Sequence, residues 1–183
     1  VVDPNARFTI TASRITWTGL TRDEDAYIYK DFGADYFAAN LRLLLTLCVT
    51  SSPNTAISSP IGLGNSVATL ASQANSLFLH LRTPVGEPNM APFQLYNGST
   101  YEGGYYDYTV GTIYYLTLFR DEAATDWILY IYSDAARTNL LATGTVINLQ
   151  GAVDYRYLIL ASSLDSNLAV AQSGYVEDIS IVV

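Results

Sequence analysis

Lysine is almost absent from this chain: Lys30 is the only one among nine basic residues. Charged side chains as a whole make up 14 %, against roughly 25 % in an ordinary soluble domain. Acidic residues outnumber basic ones, the formal net charge is −8, and no basic run occurs anywhere. That argues against nucleic acid and anionic membranes as partners. Cysteine occurs once, at Cys48, so no intrachain disulfide can form. Cys48 sits in an apolar run, where a buried structural thiol is the expectation. Histidine also occurs once. Any Cys–His or Ser–His catalysis must therefore use His80, and a structural zinc site is all but excluded. Long apolar runs are missing too. The longest, Leu41 to Val49, is interrupted by Arg42 and Thr46, whereas a membrane-spanning helix needs about 18 apolar residues or more. No membrane insertion is expected. The chain opens at Val1 without a charged-then-apolar leader, which reads as a processed or excised product.

Tyrosine is what the chain has in quantity, and it is concentrated in period-two segments of the second half. They read YEGGYYDYTV from Tyr101, TIYYLTLFRD from Thr112, WILYIYSD from Trp127 and VDYRYLILAS from Val153. Tyrosine favours strands, and such strands side by side predict a sheet with a phenol-studded face. Alternation also marks Phe8 to Ala12, Ile15 to Thr18, Ala26 to Lys30, Ser76 to Thr83, Leu140 to Leu149 and Tyr175 to Val183. Asn40 to Thr50 fits either a strand face or a helix stripe. Strand is favoured, because Ser51-Ser-Pro-Asn54 ends it with turn chemistry. Asn97-Gly98 is a hairpin signal. About a dozen strands with frequent turns and no convincing helix predict an all-β fold. The expected architecture is an antiparallel two-sheet β-sandwich of jelly-roll type, with residues 1–183 as one domain.

The segment TIYYLTLFRDEAATDWILYIYSD from Thr112 resembles the paired strands of laminin-G-like jelly rolls. The closing GYVEDISIVV from Gly174 is similar to that family's terminal strand, with Ala6 to Ala12 as its natural neighbour. The chain thus resembles the concanavalin A-like lectin/glucanase superfamily. Within it, the chain is similar to jelly-roll domains of phage and environmental bacterial surface proteins, which carry segments like TRDEDAYIYKDFG and IYSDAARTNLL. The resemblance implies glycan binding, glycan cleavage, or virion and cell-surface adhesion.

Catalysis is not expected. The glucanase branch uses an E-x-D-x-x-E face with carboxylates about 5 to 5.5 Å apart, and no such motif occurs here. Glu102 and Asp107 are an odd number of residues apart, which sends them to opposite faces of a regular strand. Lyases of this fold pair a Tyr with a His and an Arg, a role open only to His80, Arg82 and some tyrosine. For carbohydrate binding the candidates are Tyr106, Tyr108, Tyr130, Tyr132, His80 and Trp127, since sugar C–H faces stack on aromatic rings while polar tips bond hydroxyls. The competing reading of each is packing. Tyr155 and Tyr157 are expected to share a face, and Asp23, Glu24 and Asp25 to form a solvated turn. From the resemblance, Glu177 in the last strand, with Asp3 near the first, is a candidate calcium site, although calcium takes six to eight oxygens. Asn97-Gly-Ser99 is a glycosylation sequon.

These readings converge on a non-catalytic recognition or structural module, extracellular, cell-surface or virion-borne, with carbohydrate as its target. The alternatives are a self-assembling coat or fibre subunit, its partners being copies of itself, and a glycoside hydrolase or polysaccharide lyase.

Overall fold

Alternation along the chain becomes alternation between an inner and an outer sheet face. In the computed structural model, residues 1–69, 76–83, 91–96, 101–124, 126–146, 155–164, 166 and 168–183 are described. The strands in chain order are β1 (Phe8–Ile10), β2 (Arg14–Thr21), β3 (Ile28–Asp31), β4 (Leu41–Ser51), β5 (Ile57–Gly64), β6 (Leu77–Arg82) and β7 (Ala91–Tyr96). They continue as β8 (Tyr101–Tyr108), β9 (Ile113–Asp121), β10 (Asp126–Tyr132), β11 (Leu140–Val146), β12 (Tyr157–Ser163) and β13 (Ala171–Val182). A seven-stranded sheet, ordered β1-β2-β13-β4-β9-β10-β11, faces a six-stranded one, ordered β3-β12-β5-β6-β7-β8. Neighbouring strands pair antiparallel throughout. Among the described residues there is no helix. The ambiguous Asn40 to Thr50 segment is β4, with Leu41, Leu43, Leu45, Leu47 and Val49 on its inner face.

Those five residues meet Leu116 and Leu118 of β9, Trp127 and Leu129 of β10, and Ile61, Leu63, Leu77, Leu79, Leu81, Leu158 and Leu160 in one core. Burying each aliphatic side chain of this kind contributes about 1.5–3 kcal/mol before the entropy of ordering the chain is set against it. A polar cluster joins the sheets at one place within this core. Tyr108 Oη donates to Ser52 Oγ at 3.1 Å, and Gln172 Nε2 donates to the same oxygen at 2.8 Å. Ser52 Oγ lies 2.5 Å from Thr83 Oγ1, and Ser58 Oγ donates to Gln172 Oε1. All five residues are buried.

Two glycines are required by close approach. A Cβ on Gly62 would lie 2.2 Å from the Phe78 ring, and one on Gly174 would lie 2.6 Å from both Trp17 Cζ2 and the Cys48 carbonyl oxygen. Pro60 is tolerated within the sheet because the β5–β6 register shifts between Ser58 and Ile61.

Several expectations are corrected. The tyrosine segments do not form one sheet: β9 and β10 lie in the seven-stranded sheet, β8 and β12 in the six-stranded one. Hydrophobic alternation sets which side of a strand is buried, not which sheet it joins. The first and last strands share a sheet, but β2 lies between β1 and β13. The Asn97-Gly98 turn and its sequon lie outside the described residues, as does the Glu102 side chain.

Candidate functional site

The outer face of the seven-stranded sheet carries a groove. Cross-strand partners share a face, so register alone places its side chains in rows. One row runs Val182, Arg42, Phe119 across β13, β4 and β9. The next runs Ser180, Leu44, Thr117, Tyr130, reaching β10. A third runs Glu177, Thr46, Tyr115, Tyr132. A bulge in β13 between Glu177 and Ser180, with Asp178 at φ 53°, brings Ser180 and Val182 onto this face and turns Ile179 and Ile181 toward the core. The groove has a volume of about 580 Å³, walled by Arg42, Phe119, Tyr130, Tyr132 and Arg137 and floored by Leu44 and Thr117. The rings of Tyr130 and Tyr132 lie 6.4 Å apart and 27° from parallel, both half-buried. The Arg42 guanidinium sits 5.6 Å from the Phe119 ring centroid.

Arg137 reaches the groove from the turn between β10 and β11. Asp134 organises that turn by accepting hydrogen bonds from the Asn139 N–H at 2.7 Å and from the Thr138 N–H and hydroxyl at 3.1 and 2.9 Å. These bonds, the Asn139 N–H foremost, hold its carboxyl below the usual range. Arg137 itself adopts a left-handed φ of 55°, a sparsely populated conformation for a residue with a Cβ. Its Nη2 donates to the Leu45 carbonyl and its Nη1 to the Ala135 carbonyl, each at 3.4 Å. Its Nε is buried without a hydrogen-bond partner.

Of the aromatic candidates, Tyr130 and Tyr132 reach this groove and four other candidates do not. Tyr106 and Tyr108 share a face, but it is the inner one. Tyr108 is 1 % exposed, and burial pushes its phenol up to about 12. Tyr106 packs half-buried against the core, edge-on to Tyr114 at 5.8 Å. Trp127 is fully buried beside Tyr155, beneath the Arg120 guanidinium. His80 is 1 % exposed in β6, a strand buried on both faces. Desolvation, aided by the charge on Arg82, lowers its pKa to about 3, so its imidazole is neutral and out of reach of any surface ligand. Tyr155 and Tyr157 do not share a face. Tyr155 belongs to the main core, while Tyr157 packs against the cluster of Tyr27, Ile57, Phe78 and Ile159. β12 begins only at Tyr157, so strand alternation does not extend back to Tyr155.

The carboxylates also differ from expectation. Glu177 forms an ion pair with Arg14 at 2.6 Å, and Asp3 accepts the N–H groups of Arg7 and Phe8 at 2.7 and 3.0 Å. They lie toward opposite ends of β2, since Glu177 faces Arg14 whereas Arg7 accepts from the Thr18 N–H. The structure therefore does not bring the two nominated calcium ligands together. Glu24 is buried rather than solvated, while Asp23 and Asp25 are exposed. Cys48 is buried, and desolvation raises its thiol pKa.

No family model and no curated protein matches the chain. Solved structures do. The acidic lectin of winged bean, complexed with methyl-α-D-galactose, is 8 % identical with a TM-score of 0.57, over 92 % of this chain and 77 % of that one. Alginate lyase A1-II′ is 10 % identical with a TM-score of 0.57, over 98 % of this chain and 84 % of that one. A sialidase of Trypanosoma rangeli is 12 % identical with a TM-score of 0.62 over 96 % of this chain. The chain spans 26 % of that sialidase and 16 % of a second. These likenesses establish the fold: the chain shares the two-sheet jelly-roll sandwich of these lectins and enzymes.

Proposed function

We propose that this chain is a non-catalytic carbohydrate-recognition module of an extracellular, cell-surface or virion assembly, and that its sugar sits in the groove over β4, β9 and β10. The observation that carries the reading is the half-buried pair Tyr130 and Tyr132 on the wall of an open 580 Å³ groove. Stacked phenols offer a sugar both an apolar face and hydroxyl partners. The winged bean lectin, complexed with a galactoside, supports the reading by analogy of fold. The groove's described lining includes no carboxylate and no imidazole, and His80 is buried in the other sheet. The acid–base pair of a glycosidase has no counterpart in that lining. Low charge and a Ser-, Thr- and Tyr-rich composition support a setting outside the cytoplasm.

Binding to a glycan array, followed by calorimetry on the hits, tests this. A Tyr130→Ala/Tyr132→Ala double variant that keeps its β-sheet circular dichroism should bind about tenfold more weakly or worse, each stacked ring being worth roughly 0.5–1.5 kcal/mol. Undiminished affinity in that variant would move the site elsewhere. Release of reducing ends or of unsaturated uronates, abolished by Tyr132→Phe, would replace the binding module with an enzyme.

A second reading, a self-assembling coat or fibre subunit, is favoured by the exposed Ile10 and by Leu140 and Leu141 on the edge strands β1 and β11. Unpaired strand edges of this kind template association. A monomer by light scattering at high concentration would dismiss it.

A further inference from the structure

The groove holds two arginines, Arg42 and Arg137, for which no ion pair with a carboxylate occurs among the described residues. We infer that the sugar it takes is acidic, carrying a ring carboxylate of the uronate or sialate kind. The inference rests on the carbohydrate reading of the same groove and narrows it.

Cations are scarce in this chain, with nine basic residues against seventeen acidic ones. Several are spent on carboxylates: Arg7 on Glu24, Arg14 on Glu177 and Arg156 on Asp31. Arg42 and Arg137 both line the groove instead. Two carboxylates around it are already engaged. Glu177, on the same sheet face, is held by Arg14, and Asp134, at the base of the turn, accepts from the Asn139 and Thr138 N–H groups. The groove is therefore a positive site on an acidic protein.

Arg137 bears structural cost for its position. Its backbone is left-handed, its two terminal nitrogens make only long bonds, and its buried Nε makes none. Strain of that kind persists where surrounding structure enforces it, and it concentrates at ligand sites. A planar guanidinium matches a carboxylate through two parallel N–H donors, and Arg42, exposed and 5.6 Å from the Phe119 ring centroid, places one in the groove wall. Tyr130 and Tyr132 would take the ring face while an arginine takes the acid group. Lacking any basic run, the surface does not suit a nucleic acid or a bilayer.

The test measures binding of oligouronates, their neutral counterparts and sulfated counterparts, from about 50 to about 500 mM salt. Oligouronates should bind about tenfold more tightly than neutral sugars of the same length, with the preference shrinking as salt rises. Arg42→Gln, at an exposed position, should cost oligouronate binding about tenfold and neutral-sugar binding several-fold less, so that the ratio of the two affinities falls. Arg137→Gln should do the same, with circular dichroism reporting whether the turn survives. Equal affinity for neutral sugars, together with an inert Arg42→Gln, overturns the acidic-sugar inference while leaving the groove as a sugar site. Preference for sulfate over carboxylate overturns the choice of acid group. Failure to bind any saccharide overturns both readings.

Discussion

Replacing Glu24 with glutamine removes a charge from a nearly closed shell of donors. The residue is 6 % exposed, and its Oε1 accepts the Thr21 N–H and hydroxyl, both at 2.6 Å. Asn5 Nδ2 donates to Oε2 at 2.8 Å, and Arg7 Nε approaches both oxygens at 2.9 and 3.0 Å. Desolvation pushes the carboxyl pKa up, but the bonds from Thr21, Asn5 and Arg7 together outweigh it and hold it below its ordinary value. Glutamine has the same shape yet sets an amide N–H₂ against these donors and leaves Arg7 without its counter-charge. Breaking a buried pair costs about 3–5 kcal/mol, and Arg7 is 30 % exposed, so solvent recovers part of that. We expect about 2–4 kcal/mol, or a fall in Tm of roughly 5–12 °C for a chain of this size. The pH dependence has a definite sign. A carboxyl with its folded pKa below the unfolded value of about 4.3 stabilises fully above that value and loses its contribution as pH falls through the folded one. Scanning calorimetry from about pH 7 to about pH 3 should thus show the gap between wild type and Glu24→Gln narrowing only below about pH 4. An unchanged Tm at neutral pH, or a gap that widens in acid, would refute the reasoning.

Two further outcomes are expected. Gly174→Ala drives a methyl group against a backbone carbonyl and an indole, both fixed in the core, and should cost about 1–3 kcal/mol or more in urea unfolding. Wild-type stability there would show that Trp17 can move aside. Because Arg14 holds Glu177 and backbone N–H groups hold Asp3, the Tm should stay flat from micromolar to millimolar calcium, in wild type and Glu177→Gln alike. A calcium-dependent rise that Glu177→Gln abolishes would restore the site.

Much of the fold was legible because β9 and β10 bury every second residue over most of their length, turn chemistry tipped the ambiguous β4 segment toward strand, and the jelly-roll resemblance rested on the β9–β10 segment itself. The location of the tyrosines was harder to read. A phenol suits a core whose edge supplies a partner as well as it suits a wet surface, so the sequence spacing of Tyr108 and Tyr130 looks alike. Tyr108 finds Ser52 inside the sandwich, while Tyr130 meets open groove. Two of the five wall residues, Tyr130 and Tyr132, were visible in the sequence. The rest, Arg42, Phe119 and Arg137, comes from three different places in the chain and converges only once register is known. One signal was present: Arg42 is the single charge in β4, and on a strand whose alternate leucines fill the core it falls on the outer face. Glu24 was misread because nothing in a run of acidic residues tells which one Arg7 folds back to cover.

The polar cluster of Ser52, Ser58, Thr83, Tyr108 and Gln172 bears on how the halves of the sandwich are aligned. Aliphatic packing is less directional than hydrogen bonding, so an aliphatic interior alone separates alternative offsets of the two sheets less sharply. Directional bonds sharpen that separation. Gln172 lies in one sheet with Ser52 just past the end of β4, and Ser58 and Tyr108 lie in the other with Thr83 just past the end of β6. A slip of one strand repeat strands their donors in a dry interior, at about 1–3 kcal/mol for each unpaired group. The cluster therefore acts as an index pin, admitting a single offset and making docking of the sheets an all-or-none event.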